Sequence, residues 1–221
     1  KNNNITISAG NLITVSGSET SDQIIVNGTL QVNSGGTLTV AFNTKQPYNL
    51  SMGSTGILVV HGTYAIANNA VCIGHTASNT HFFSTGIYDH QSRTEGIVPL
   101  ATWDAGSTLN ISGYNSSISA TNSGNWGQSF SNIVFNCALG GNAVDMQGLL
   151  TTIGGNLTVN NTGNSTGRLI LNGGTLSPTI TIDGNLNITP SGGSAQLVLN
   201  SSTGSTTLDI NGSINLSSAT A

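Results

Sequence analysis

One five-residue phrase occurs three times near the end of the chain, as GNLTV at 155–159, GNLNI at 184–188 and GSINL at 212–216. The copies are 29 and 28 residues apart. Two further phrases keep this spacing: RLIL at 168–171 returns as QLVL at 196–199, and TIDG at 181–184 returns as DING at 209–212. Three phrases on one period predict three short strands per repeat, because a fixed period of about 20–50 residues is typical of a solenoid.

Within each phrase the apolar residues lie two positions apart, as Leu157 and Val159 do. This is the periodicity of a strand with one buried face, and no window has the i, i+3, i+4, i+7 spacing of a helix. We therefore predict an all-β parallel solenoid whose strands stack about 4.8 Å apart, with aliphatic side chains filling the interior. Leu157, Leu186 and Ile214 are predicted to be buried there in register, as are Val159, Ile188 and Leu216. A corner glycine such as Gly184 is expected to supply a positive φ at the bend.

Small polar residues dominate the composition, since 28 Asn, 28 Ser, 29 Thr and 29 Gly make up about half of the 221 residues. Charged residues are only 5%, and the net charge is −4. The four Lys and Arg residues do not cluster, which argues against nucleic-acid binding. The sequence has neither an apolar run of transmembrane length nor an opening signal peptide.

The repeat is less regular before residue 155. Corner glycines fall at 28, 62, 113, 155, 184 and 212, with gaps of 34, 51, 42, 29 and 28 residues. The middle of the chain is therefore predicted to carry insertions, the largest near 67–102. Insertions in solenoids often form loops on a binding face. We expect one solenoid domain, 1–221, with this irregular insertion.

Several longer stretches carry a resemblance to a known group of proteins. They are WDAGSTLNISG at 103–113, WGQSFSNIVFNC at 126–137, and LLTTIGGNLTV at 149–159 followed by GRLIL at 167–171. Over about 101–216 the chain resembles large, repetitive surface proteins of Bacteroidota that are exported by the type IX secretion route. The resemblance implies an extracellular right-handed β-helix of adhesive or structural function, and it brings no catalytic residues. Such proteins end in a sorting domain, whereas this chain ends in NLSSATA, so we expect a segment of a longer protein.

The 67–102 segment contains a set of potential metal ligands. Cys72 and His75 have a C-x-x-H spacing, and His81 and His90 follow. Zinc favours cysteine and histidine in tetrahedral sets. The spacing matches no known zinc framework, so we interpret the histidines as solvated loop residues. Cys72 and Cys137 are too few for a disulfide framework, and whether they pair is left open.

The same segment contains carboxylates that could cleave a sugar bond. Asp89, Glu95 and Asp104 are the candidates, because glycoside hydrolysis requires two carboxylates across the scissile bond. A lyase acting on acidic sugars needs basic groups, and Arg93 is the only one nearby. The hypothesis is testable, because the candidate carboxylates must converge in one cleft.

Two weaker hypotheses come from the repeats. Asp183 and Asp209 belong to adjacent turns but not to equivalent positions, and no calcium-binding repeat is present, so we interpret them as turn carboxylates. The second hypothesis is an ice-binding face. It rests on paired threonines, Thr37 with Thr39 and Thr179 with Thr181, but the pair does not recur on every turn.

The prediction is a non-catalytic extracellular structural or adhesive β-helix module, secreted or on the cell surface, within a long fibre or stalk. It assigns no catalytic, cofactor-binding or metal-binding residues. The expected partners are further repeats of the same chain or identical subunits stacked at the solenoid ends, with a cell-surface glycan as a further candidate. The alternative is a carbohydrate-active or carbohydrate-binding β-helix with its site in 67–102.

Overall fold

The computed structural model describes residues 5–15, 24–41, 49–67, 70–92, 97–114, 118–119, 124–138 and 142–217. These residues form short strands and essentially no helix. Nowhere among them is there a helix of the length and apolarity needed to cross a bilayer. The strands are β1 (Ile5–Ile7), β2 (Leu12–Val15), β3 (Ile24–Val26), β4 (Thr29–Val32), β5 (Thr37–Ala41), β6 (Leu50–Met52), β7 (Ile57–Val60), β8 (Thr63–Ala67), β9 (Cys72–Ile73), β10 (Thr80–Phe82), β11 (Ile87–Gln91), β12 (Thr102–Trp103), β13 (Thr108–Ile111), β14 (Ile118–Ser119), β15 (Asn132–Asn136), β16 (Ala143–Asp145), β17 (Thr152–Ile153), β18 (Leu157–Asn161), β19 (Arg168–Asn172), β20 (Thr179–Ile182), β21 (Leu186–Ile188), β22 (Leu197–Asn200), β23 (Thr207–Ile210) and β24 (Ile214–Leu216).

The strands stack in parallel as a β-solenoid of about seven turns, which confirms the predicted fold class. The chain divides into two compact units, Lys1–Ser92 with Pro99–Thr108, and Arg93–Val98 with Leu109–Ala221. In the first unit the strand orders are β1-β4-β7-β10-β12, β2-β5-β8-β11 and β3-β6-β9. In the second unit, which contains all but the first residue of β13, they are β14-β16-β19-β22, β13-β15-β18-β21-β24 and β17-β20-β23.

The repeated phrase stacks in the predicted register in the second unit. Leu157 pairs with Leu186, and Leu186 pairs with Ile214. Two residues later in each strand, Val159 pairs with Ile188, and Ile188 pairs with Leu216. Leu157 is fully buried and Leu186 is 5% exposed. The expected burial of the last copy is wrong, since Ile214 is 59% and Leu216 is 70% exposed. No strand of the described residues pairs with the outer side of β24.

The corner glycines of this unit are needed for space. Gly184 does not adopt the positive φ that we expected. A Cβ atom on Gly184 would lie 2.6 Å from the side-chain oxygen of Asn156, and one on Gly212 would lie 2.6 Å from that of Asn185. These oxygens accept hydrogen bonds from the next turn, from the amides of Asn185 at 2.7 Å and Ser213 at 2.8 Å. The glycine therefore makes room for an asparagine ladder that links successive turns.

Much of the segment near 67–102 is regular. It contains β9, β10 and β11, whose strands pair in register with those of the preceding turn. Phe82, Tyr88 and His90 alternate inward there and are at most 1% exposed. The irregular part is confined to the links at 74–79 and 97–101 among the described residues. The described residues of this segment are therefore mostly stacked strands and not one long irregular insertion, as the sequence had led us to expect. Aromatic rings occupy the inward positions that aliphatic residues hold elsewhere.

Candidate functional site

Four partly exposed residues stack at one corner of the first unit, one in each successive turn. Asn33, His61, Phe83 and Asp104 follow the ends of β4, β7, β10 and β12. The amides of the last three donate hydrogen bonds of 2.7, 2.9 and 2.9 Å to carbonyls of the preceding turn. We call these four residues the corner row. Its members are set by the strand register, because each comes directly after a paired strand.

Aromatic stacking holds the middle of the corner row. The ring of Phe83 stacks with that of His61, with centroids 4.3 Å apart and planes inclined by 23°. It stacks also with His81, with centroids 3.9 Å apart and planes inclined by 21°. His81 lies on β10, two residues before Phe83, and it pairs with Thr102 of the next turn.

Polar side chains flank these rings on both sides. His81 Nε2 lies 2.7 Å from Asp104 Oδ1, and both side chains are about one-third exposed, at 33% and 39%. At the other end, Gln31 Nε2 donates a hydrogen bond of 2.7 Å to Asn33 Oδ1. The arrangement presents amide, imidazole and carboxylate groups beside an aromatic surface.

Two of the three carboxylates that we considered for sugar cleavage are described, and they lie at strands of different sheets. Asp104 follows β12 and contacts His81. Asp89 lies on β11 and accepts a 2.6 Å hydrogen bond from Gln91 Nε2. Glu95 and Arg93 lie outside the described residues. The described hydrogen bonds therefore join Asp104 to a histidine and do not form a carboxylate pair.

The four candidate metal ligands fall in three places. Cys72 and His75 lie near Tyr64, His81 belongs to the surface beside Asp104, and His90 is fully buried with Nδ1 3.0 Å from the Tyr88 hydroxyl. Among the described residues, no group of three or more His, Cys, Asp or Glu side chains could hold a metal ion.

Cys72 and His75, which are half-buried, lie beside the fully buried Tyr64. His75 Nε2 lies 3.3 Å from the Tyr64 hydroxyl, and Nδ1 lies 2.9 Å from Thr80 Oγ1. Burial lowers the pKa of His75 to about 4, and it raises the pKa of the Cys72 thiol to about 12 and that of Tyr64 well above its usual range. All three side chains are therefore uncharged at neutral pH. A protonated thiol is a poor nucleophile and a poor metal ligand.

Both cysteines are free, so the structure contains no Cys72–Cys137 disulfide. Cys137 is buried, and its thiol donates to the carbonyl of Ile111 at 3.3 Å.

The residues behind the calcium and ice-binding hypotheses serve as ordinary surface contacts. Asp183 Oδ1 accepts a hydrogen bond of 2.9 Å from Asn211 Nδ2, and Asp209 pairs with Thr181 of the preceding turn. The threonine pair is also interrupted in the first unit, where Thr39 pairs with Ala65.

Sequence reasoning did not find the corner row. Its four members have different chemistry, so no repeated residue type marks the position. The available signal is position: each member of the corner row directly follows the last residue of a strand. Those last residues are Val32, Val60, Phe82 and Trp103. Comparison of the chain with protein-family models, curated proteins and solved structures found no match.

Proposed function

We propose that this chain is a non-catalytic structural or adhesive β-solenoid module that works outside the cell, on the surface or after secretion. The observation that carries the proposal is where the chemically capable side chains lie. His75 Nε2 lies 3.3 Å from the hydroxyl of the fully buried Tyr64, Cys72 lies beside them, and His90 is buried against Tyr88. Side chains placed in this way stabilise stacked turns.

The polar surface supports the same proposal. Outward-facing side chains link successive turns, as where Asn187 Nδ2 donates to Thr158 Oγ1 and Asn215 Nδ2 donates to Asn187 Oδ1, at 3.2 and 2.7 Å. Such ladders join the turns through small polar side chains, and only 5% of the residues are charged. Stacked turns with low charge and small polar side chains fit a role in reach and attachment.

We further propose that a turn of the same kind stacks on the turn that ends in β24, from the same polypeptide or from an identical subunit. Ile214 and Leu216 are exposed although their counterparts Leu157 and Val159 are fully buried. An unpaired strand edge is a template for further pairing, and here few charges oppose it. Stacking a further turn would bury both side chains.

Sedimentation of residues 1–221 over rising protein concentration tests the stacking. We expect concentration-dependent association that Ile214→Lys reduces, because a charge at the strand edge discourages pairing. Leu176→Lys is the matched control, since Leu176 is similarly exposed, at 51%, but lies outside the strands. A monomer at every concentration would contradict the stacking.

Incubation with common polysaccharides tests the absence of catalysis. We expect no hydrolase or lyase products. Turnover that Asp104→Asn or Asp89→Asn abolishes would replace this proposal with the alternative of a carbohydrate-active β-helix.

A further inference from the structure

We propose that the corner row, with Gln31, His81 and Thr102 beside it, binds a neutral, extended polysaccharide that lies along the solenoid axis. The inference rests on the non-catalytic adhesive role proposed above, because the glycan is held and not cleaved. It adds the class of ligand and the residues that bind it.

The exposure of Phe83 is the first observation. Among the described residues, Phe83 and Trp103 are partly exposed, whereas the other large aromatic side chains are at most 1% exposed. Those fully buried are Tyr64, Phe82, Tyr88, Tyr114, Trp126, Phe130 and Phe135. The imidazoles of His61 and His81 cover the two faces of the Phe83 ring, so this stack of three rings presents its edges to solvent over two turns. Sugar oxygens pack against such edges, because the edge of an aromatic ring carries positive charge density.

The unused hydrogen-bonding capacity is the second observation. Asp104 binds His81 through Oδ1, which leaves Oδ2 to accept from sugar hydroxyls. Asn33 accepts from Gln31 through Oδ1, so its own amide N–H groups are available to donate. Within the described residues, the ring nitrogens of His61 have no hydrogen-bond partner. Acceptors and donors of this kind surround the ring surface, as sugar hydroxyls require.

The spacing favours a polymer over a single sugar. The corner row has one member per turn, and turns of a parallel solenoid are about 4.8 Å apart. This repeat is comparable with the length of one pyranose unit, so a glycan chain along the axis meets an equivalent position in each turn. No deep pocket is needed, because the contacts are distributed along the row.

Charge decides between neutral and acidic glycans. Asp104 contributes a carboxylate that is 39% exposed, and no Lys or Arg occurs among the described residues of the first unit. An acidic sugar would bring a second carboxylate to Asp104, and the described residues of this unit offer no cation to compensate it. The row therefore favours neutral units.

The test is titration of the whole chain with cellohexaose, mannohexaose and xylohexaose, with hexagalacturonate as the acidic probe. Amide NMR signals of His61, Phe83 and Asp104 report the site, and calorimetry gives Kd. We expect saturable binding of at least one neutral hexasaccharide. Phe83→Ala should weaken it about tenfold and Asp104→Ala about fivefold, the factors expected for one ring contact and one hydrogen bond.

Two variants serve as controls. Phe83→Tyr keeps the ring and should keep binding, so it separates loss of the ring from loss of the fold. Leu176→Ala removes an exposed apolar side chain outside the row and should leave Kd unchanged.

Three results would overturn the inference. They are no binding to any neutral probe, binding that Phe83→Ala and Asp104→Ala leave unchanged, or tighter binding of hexagalacturonate. Chromatography of the probes afterwards distinguishes the two proposals. Cleaved oligosaccharide would overturn the non-catalytic role and this inference together, whereas absence of binding would overturn this inference alone.

Discussion

The described residues of 80–103 and the stretch 157–216 use the same parallel stacking but fill the interior with different side chains. In the first, Phe82 stacks on Trp103 with centroids 4.3 Å apart and planes inclined by 9°. In the second, Leu157 and Leu186 occupy the equivalent kind of inward position. The backbone register is as regular in one stretch as in the other. The comparison teaches that a solenoid turn is defined by alternation and register, and that rings and aliphatic chains both satisfy it.

Truncation of the Phe82 side chain should lower the free energy of unfolding more than any other change proposed here. Phe82→Ala is expected to lower the free energy of unfolding by about 3–5 kcal/mol, because Phe82 is fully buried and its loss leaves a large cavity. Leu186→Ala should cost about 2–5 kcal/mol, toward the lower end because its outer neighbour Ile214 is exposed. Urea unfolding of both variants measures the two losses in the free energy of unfolding. A cost below about 1 kcal/mol for Phe82→Ala would show that the aromatic stretch is a loosely held loop, since core truncations cost more.

Acid should destabilise the first unit through His75. Burial lowers its folded pKa to about 4, so the unfolded chain binds this proton first as the pH falls. The stability due to neutral His75 is complete above about pH 6.5 and is lost between pH 6.5 and 4, by about 2–3 kcal/mol. The chain has no histidine after His90, so the second unit has no matching effect.

Unfolding of the chain and of His75→Gln from pH 7.5 to 4 isolates this contribution. The difference in stability between the two proteins should shrink by that amount as the pH falls. A difference that stays constant with pH would contradict burial of a neutral His75.

The aliphatic stretch was the predictable part of the fold. Leu157, Leu186 and Ile214 follow one phrase at a fixed spacing, so their register could be read directly. The aromatic turns were not recognised because Tyr88 and His90 are polar by residue type, although their burial is complete or nearly so. The contact of His81 with Asp104 could not be predicted from the sequence, because the two residues are 23 positions apart and meet only through the stacking of turns.

Loss of the asparagine ladder should lower the free energy of unfolding less than truncation of Phe82 or Leu186. Asn156→Ala removes the acceptor for the amide of Asn185 and should cost about 1–2 kcal/mol, because that N–H loses its partner. Asn156→Asp keeps the side-chain oxygen and should retain most of the stability. Asp104→Ala at the corner of the other stretch should cost less than about 1 kcal/mol, since its contact with His81 is at the surface. Thermal unfolding of the three variants ranks them, and equal losses for Asn156→Ala and Asn156→Asp would contradict the ladder.

Amide hydrogen exchange by NMR tests most directly whether residues 80–103 belong to regular solenoid turns. The amides of Phe83 and Asp104 donate to carbonyls of the preceding turn, as do those of Asp183 and Asn211 in the aliphatic stretch. If both stretches are stacked turns, all four amides should be protected by factors of similar size, because exchange then requires opening of the stack. Exchange of Phe83 and Asp104 at the rate of an exposed loop, with Asp183 and Asn211 still protected, would contradict it.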